Sequence, residues 1–161
     1  MNTPIRLAPE IVVDQWFNTD QEPQLSQLRG RVVVIEAFQM LCPGCVSHGI
    51  PQAQRIHDTF TRDDVVVLGL HAVFEHHAAM TPVSLAAFLH EYKVSFPVGV
   101  DMPQAGGMPT TMSAYAMQGT PTLILIDAQG HLHKQWFGAP SDLAIGAEIM
   151  RLVMDRGSAG G

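Results

Sequence analysis

Two cysteines stand directly after the most apolar strand that the sequence predicts, and this arrangement most constrains the fold. Apart from Glu36, residues Val32–Phe38 are Val, Ile, Ala and Phe, a composition typical of a strand buried on both faces of a parallel sheet. Cys42-Pro43-Gly44-Cys45 follows at a predicted helix start and holds the two cysteines of the chain. This order predicts an α/β fold with both thiols at the start of its first helix.

The spacing of the cysteines favours redox chemistry. Two residues three positions apart at a helix start lie on one face, and the first thiol faces the free N–H groups of the first turn. Such N–H groups lower the pKa of a thiol and make its sulfur a nucleophile. A Cys42–Cys45 bridge would close too short a loop to constrain the unfolded chain. The alternatives are an inert buried pair and a zinc half-site, although zinc needs four ligands and the chain has no second cysteine pair.

The remaining pattern predicts a parallel βαβ unit, then a hairpin and a closing helix. A helix over 43–60 and a buried strand over 65–70 complete a right-handed crossover. Residues 11–30 are predicted to be irregular, with Trp16 and Phe17 filling the core. The elements predicted further along are a helix after Thr81, a short strand over 97–100, a short helix over 112–117, a strand over 122–126, a returning strand over 131–137 and a helix after Ser141.

The sequence resembles the thioredoxin superfamily, and within it the TlpA/ResA-like redoxins. The motifs that carry the resemblance are Glu36-Ala37-Phe38 ahead of the cysteine pair, then Gly119-Thr120-Pro121-Thr122, then Phe137-Gly138-Ala139. The resemblance implies a thioredoxin-like α/β fold, a central mixed sheet flanked by helices, with an N-terminal extension. We expect one domain over 1–161, with an ordered core over about 11–155 and a flexible tail over 157–161.

The resemblance also implies roles for individual residues. Cys42 would attack a disulfide and Cys45 would resolve the intermediate. Glu36, six places before Cys42, would accept the proton of the resolving thiol. Thr120 and Pro121, joined by a cis peptide bond, would face the cysteines and bind an extended substrate together with Pro43 and Gly44.

Two features of the sequence bear on these roles. A buried carboxylate without a partner is costly, so we expect the pKa of Glu36 to be raised; the alternative is a carboxylate at the strand end that reaches solvent. The proline that commonly follows the second cysteine by five residues in this family comes after six here, as Pro51. The helix is therefore expected to be kinked differently.

The expected activity is thiol–disulfide exchange on protein or small-molecule disulfides and dithiols, with an unidentified electron donor and no cofactor or metal. One alternative is a copper or other metal-binding redox chaperone that uses the cysteines with His71, His76 or His77, although these histidines are predicted to be solvated loop residues. The other is a weak thiol peroxidase. Its Pro-x-x-x-Thr/Ser-x-x-Cys pattern is missing, because Ile35 and Gln39 occupy the two key positions.

Charge and hydropathy limit the partners. A formal net charge of −6 and a pI near 5.6 argue against nucleic acid or an anionic membrane as a partner. The sequence shows no signal-type segment and no apolar run near the ~20 residues needed to span a bilayer. These observations predict a cytoplasmic protein.

Overall fold

The computed structural model describes residues 4–156. Its centre is a six-stranded mixed sheet in the order β1-β4-β3-β2-β5-β6. The strands are β1 (Val13–Phe17), β2 (Val32–Phe38), β3 (Val65–His71), β4 (Val98–Asp101), β5 (Thr122–Ile126) and β6 (Leu132–Phe137). Strands β2, β3 and β4 run parallel, whereas β1, β5 and β6 pair antiparallel to their neighbours. The predicted mixed sheet is therefore confirmed.

Strand β2 lies near the middle of the sheet and is buried on both faces. Val34 and Phe38 pack into the cluster under the first, second and last helices, whereas Val33 and Ile35 pack into the cluster on the opposite face. This alternation follows the pleat of the strand, along which successive side chains point to opposite faces. The carboxyl end of β2 therefore leads directly into the cysteine pair.

The second and the last helix begin directly after Thr81 and Ser141, the caps that the sequence predicts, whereas the short helix predicted over 112–117 lies over Thr110–Ala114. The helices are α1 (Ile50–Thr59), α2 (Pro82–Glu91), α3 (Thr110–Ala114) and α4 (Asp142–Asp155), with a π-helical turn over Cys45–Gly49 ahead of α1 and a 3-10 turn over Leu25–Gln27. The Thr81 hydroxyl accepts a hydrogen bond from the Ser84 amide at 3.2 Å and caps α2. Ser141 caps α4 in the same way, through the Ala144 amide. None of the helices within residues 4–156 is long and apolar enough to cross a membrane.

The prediction that residues 11–30 are irregular was wrong, because β1 lies in this stretch. This strand pairs with β4 at the edge of the sheet, with Val13 opposite Asp101 and Phe17 opposite Val98. Asp14 and Gln15 are exposed, as is usual for an edge strand. The segment before β2 is thus an extension that adds a strand to the sheet. The flexible tail predicted over 157–161 lies outside the described residues.

Candidate active site

The two cysteines lie together where the chain leaves β2 and enters the first helical turns. Both thiols are free, and their sulfurs are 2.6 Å apart. Cys45 is fully buried, whereas Cys42 is partly exposed. One sulfur can therefore meet a partner molecule while the other reaches only its neighbour.

Hydrogen bonds distinguish the two sulfurs. The Cys42 sulfur accepts from the backbone N–H of Cys45 at 3.3 Å and lies 3.5 Å from the Thr120 carbonyl oxygen. The sequence predicts that N–H groups of the first helical turn face the Cys42 sulfur. The N–H of Cys45 donates to it, whereas no hydrogen bond from the N–H of Gly44 to this sulfur is found in the described part of the chain. The Cys45 thiol donates to Cys42. Burial and then this hydrogen bond raise the pKa of Cys45, so Cys45 holds its proton at neutral pH.

Glu36 lies in the middle of β2 and is 1% exposed. The alternative of a carboxylate reaching solvent was therefore wrong. Its pKa is raised well above the ordinary value, first by burial and then by the charge of Cys42, as the sequence predicts. Among the described residues, Oε1 of Glu36 has no hydrogen-bond partner. The carboxyl group is thus a buried proton-binding group within electrostatic range of Cys42.

The turn before β5 lies opposite the cysteines. The peptide bond between Thr120 and Pro121 is cis. A Cβ atom on Gly44 would lie 3.4 Å from Cδ of Pro121, so the middle of the cysteine motif faces the proline ring. The structure therefore brings Gly44, Thr120 and Pro121 together at Cys42, while Pro43 is exposed on the same turn.

Gln39 connects the segments that meet at Cys42, and sequence reasoning did not predict this. Its side chain is 2% exposed. Its Nε2 donates to the Thr120 hydroxyl at 3.4 Å, and its Oε1 accepts from the Phe74 amide at 3.2 Å. The sequence offered one signal for this role, a polar residue directly after a buried strand. A buried amide side chain is normally hydrogen-bonded, so Gln39 could have been expected to bind neighbouring segments.

The helix after the cysteines contains the predicted irregularity. Over Cys45–Gly49 the backbone forms a π-helical turn, in which the Ile50 N–H donates to the Cys45 carbonyl five residues back. A π-turn holds one residue more than an α-turn. It therefore accommodates the extra residue between Cys45 and Pro51, and Pro51 lies in the first turn of α1.

Comparison with known proteins gives the family. The chain is 60% identical to a thioredoxin-like superfamily protein of known crystal structure, with a TM-score of 0.90 over 91% of this chain and 96% of that chain. A thiol-disulfide isomerase from Corynebacterium glutamicum is 46% identical, with a TM-score of 0.86 over the same shares. The model of the AhpC/TSA family matches residues 6–135. The chain belongs to the AhpC/TSA family.

Curated relatives of this AhpC/TSA family member are more distant. Thiol-disulfide oxidoreductase ResA of Halalkalibacterium halodurans is 23% identical over 130 residues, which are 81% of this chain and 66% of that protein. Protein DipZ of Mycobacterium bovis is 27% identical over 134 residues, which are 81% of this chain and 18% of that protein. The chain thus spans less than a fifth of the length of DipZ. The resemblance to thioredoxin-like redoxins that the sequence motifs carry is confirmed.

The structure corrects the prediction for His71. It ends β3 and is 1% exposed, whereas His76 and His77 are exposed as predicted. Its Nε2 accepts a hydrogen bond from the Met40 amide at 3.3 Å, so the neutral ring carries its proton on Nδ1. Burial lowers the pKa of His71 to about 4. Within residues 4–156, no group of three or more His, Cys, Asp or Glu side chains is placed to hold a metal ion.

We expect the free energy of unfolding of this protein to fall as the pH is lowered from about 6.5 to about 4, because of His71. The unfolded chain binds the histidine proton at a higher pH than the folded protein, whose His71 pKa is about 4, so acid favours unfolding. The difference corresponds to a loss of about 3 kcal/mol in the free energy of unfolding across that range. Denaturant unfolding curves at stepped pH measure the loss.

His71→Gln should flatten this pH dependence, whereas His48→Gln, at an exposed position, should leave it unchanged. Glu36 acts in the opposite sense, because its pKa is raised and its contribution to stability falls as the pH rises. The difference between wild type and variant therefore isolates His71. Identical slopes for wild type and His71→Gln would show that His71 does not titrate as a buried group.

Proposed function

We propose that this protein is a thiol–disulfide oxidoreductase that exchanges disulfides through Cys42 and Cys45. The observation that carries the proposal is the unequal pair, with a partly exposed sulfur 2.6 Å from a buried one. Membership of the AhpC/TSA family supports it. The printed names of two relatives, a thiol-disulfide isomerase and a thiol-disulfide oxidoreductase, support it further. The substrates are disulfides and dithiols of proteins or small molecules.

In the proposed first step, the Cys42 thiolate attacks one sulfur of a substrate disulfide. A Cys42–substrate bond forms, the substrate S–S bond breaks, and one substrate thiolate leaves. The N–H of Cys45, which points at the Cys42 sulfur, stabilises the attacking thiolate. Thr120 and Pro121 bind the substrate segment beside the sulfur, and Pro43 and Gly44 form the other wall.

In the second step, Cys45 resolves the mixed disulfide. The Cys45 thiol gives its proton to the Glu36 carboxylate, and the resulting thiolate attacks the Cys42 sulfur. The second substrate thiolate leaves, a Cys42–Cys45 disulfide remains, and the substrate has gained two electrons. A buried thiol with a raised pKa needs such a base, because water does not reach it. Run in reverse, the same steps oxidise a dithiol.

Formation of the mixed disulfide prepares the second step electrostatically. Burial is the largest cause of the raised pKa of Glu36 and of Cys45, and the charge of Cys42 raises both pKa values further. This charge disappears when the Cys42 sulfur bonds to the substrate. The pKa of Cys45 and the pKa of Glu36 therefore both fall after the first step, so each group loses its proton more easily than before. Attachment of the substrate thus favours ionisation of Cys45 at the step in which its thiolate is needed.

Turnover with a simple dithiol tests the proposal. Dithiothreitol supplies electrons, a protein with an exposed disulfide is the substrate, and precipitation of the reduced substrate reports the rate. The protein at a small fraction of the substrate concentration should raise the rate at least about tenfold over dithiothreitol alone. A rate equal to that of dithiothreitol alone would reject disulfide exchange as the function.

A further inference from the structure

The backbone conformation at Gly49 is one that residues other than glycine also adopt. The residue lies at the end of the π-helical turn with φ −61° and ψ −56°, ordinary right-handed helical values that any residue adopts. Within a helix, glycine is less favourable than alanine because it loses more conformational freedom on folding. The reason for this glycine therefore lies in the space around it.

That space is taken by Glu36. A Cβ atom built on Gly49 would overlap Oε1 of Glu36 and would lie 3.2 Å from its Cδ atom. It would also lie 3.0 Å from Cβ of Pro121. Gly146, a glycine within α4, provides the contrast, because a Cβ atom there would meet nothing within 4 Å. A side chain at position 49 and the present position of the Glu36 carboxyl exclude one another.

The Glu36 carboxyl is held by packing. Its Oε1 atom is buried and has no hydrogen-bond partner in the described part of the chain. The backbone of Glu36 is fixed, since it lies opposite Gly69 on β3 and opposite Leu123 on β5. A side chain at Gly49 would therefore displace the carboxyl group while the strand stayed in place.

The π-turn explains how Gly49 reaches this position. The Ile50 N–H donates to the Cys45 carbonyl, so Cys45 and Gly49 belong to one widened turn. Both are buried. The inserted residue rotates the following part of the helix relative to an α-helical path. The π-helical turn thus begins with the thiol of Cys45 and ends with Gly49, beside which the Glu36 carboxyl lies.

We propose that Gly49 is a positioning residue for proton transfer from Cys45. By lacking a side chain, it leaves the space between the π-turn and Pro121 in which the Glu36 carboxyl lies. This inference rests on the proposed function, in which Glu36 takes the Cys45 proton before the Cys45 sulfur attacks the mixed disulfide. The role of Gly49 in this proposal is exerted through Glu36, whose carboxyl atoms are the nearest side-chain atoms, with Cβ of Pro121, to a Cβ built at position 49.

A chromogenic disulfide separates the two chemical steps. Reduced protein is mixed rapidly with one equivalent of dithiobis(nitrobenzoate). Attack by Cys42 releases a first coloured thiolate and leaves a mixed disulfide, and attack by Cys45 on the Cys42 sulfur releases the second. Gly49→Ala should slow the second release about tenfold or more, as expected when a general base is misplaced, with the first release within about twofold of wild type. The rate of the second release should also lose the part of its pH dependence that comes from the ionisation of Glu36.

Two further variants complete the test. Gly146→Ala, the matched control, should leave both releases at wild-type rates. In Glu36→Ala, a methyl group at position 49 no longer overlaps a carboxyl oxygen, and Cβ of Pro121 at 3.0 Å is the tight contact that remains. Glu36→Ala/Gly49→Ala should therefore match Glu36→Ala in the second release within about twofold. Gly49→Ala should lower the midpoint of thermal unfolding more when Glu36 is present than when residue 36 is alanine.

The outcomes separate this inference from the proposed function. A wild-type second release in Gly49→Ala, with an unchanged pH profile, would overturn the role of Gly49 and leave disulfide exchange standing. A wild-type second release in Glu36→Ala would instead overturn the role of Glu36. If Gly49→Ala fails to fold and the double variant folds, the conflict with Glu36 is supported. If neither folds, Gly49 serves another contact and the inference is wrong.

Discussion

Replacing Cys42 by alanine is expected to remove disulfide reduction, with a loss on the order of a thousandfold or more. The reason is that the other sulfur cannot substitute for it. Cys45 is fully buried, and this burial, the largest cause of its raised pKa, remains in the variant. With Cys42 absent, no accessible thiolate remains. The measurement is the steady-state rate of protein disulfide reduction with dithiothreitol as the electron supply.

Ser47→Ala is the matched control for this variant. Ser47 is exposed in the π-helical turn that follows Cys42 and has no proposed role, so Ser47→Ala should leave the rate within about twofold of wild type. Circular dichroism checks that both variants are folded. A Cys42→Ala protein that kept a tenth or more of the wild-type rate would show that the attacking group is not Cys42.

Replacing Cys45 by alanine is expected to accumulate a covalent complex with the substrate. Cys42 still attacks and forms the mixed disulfide, but no second thiol lies beside it to release the product. Dithiothreitol can resolve the complex only from solution, and so without the advantage of a sulfur 2.6 Å away. We expect most of the protein to migrate as a substrate adduct on a non-reducing gel, where wild type shows little.

The adduct should depend on Cys42 and on reduction. Addition of excess dithiol to the gel sample should remove it, and a Cys42→Ala/Cys45→Ala protein should form none. The same variant can capture natural substrates from a cell extract, to be identified by mass spectrometry after release with dithiol. Turnover by Cys45→Ala at the wild-type rate, without an adduct, would show that Cys45 does not resolve the intermediate.

The sequence predicted the central strands well because consecutive apolar residues within each strand indicate that the strand is buried. Apart from Glu36 and Thr122, strands β2 and β5 are runs of apolar residues, and every residue in both is buried in the structure. The edge strand β1 was missed because its pattern is weak and its pairing is distant. Val13 lies opposite Asp101, far away in the chain, and such long-range pairing leaves no short-range signal.

The residues of the candidate site also fall into a group that the sequence predicted and a group that it did not. The cysteine pair, Glu36 and the Thr120–Pro121 turn were predicted because each lies in a recognisable motif. Gly49, Gln39 and His71 act through contacts between distant segments. Gln39 contacts Thr120 and Phe74, and His71 accepts from Met40. The late Pro51 indicated an irregular helix, but the carboxyl group that rests against Gly49 became visible only in three dimensions.

A single-turnover exchange tests most directly whether Cys42 and Cys45 act as one redox pair. Fully reduced protein is mixed with one equivalent of a peptide containing a single disulfide, and both products are weighed by mass spectrometry after acid quenching. We predict a peptide that has gained two hydrogens and a protein that has lost two, with a Cys42–Cys45 disulfide found in its digest. An unchanged peptide, or a protein that carries peptide on separate cysteines without an internal disulfide, would contradict the account.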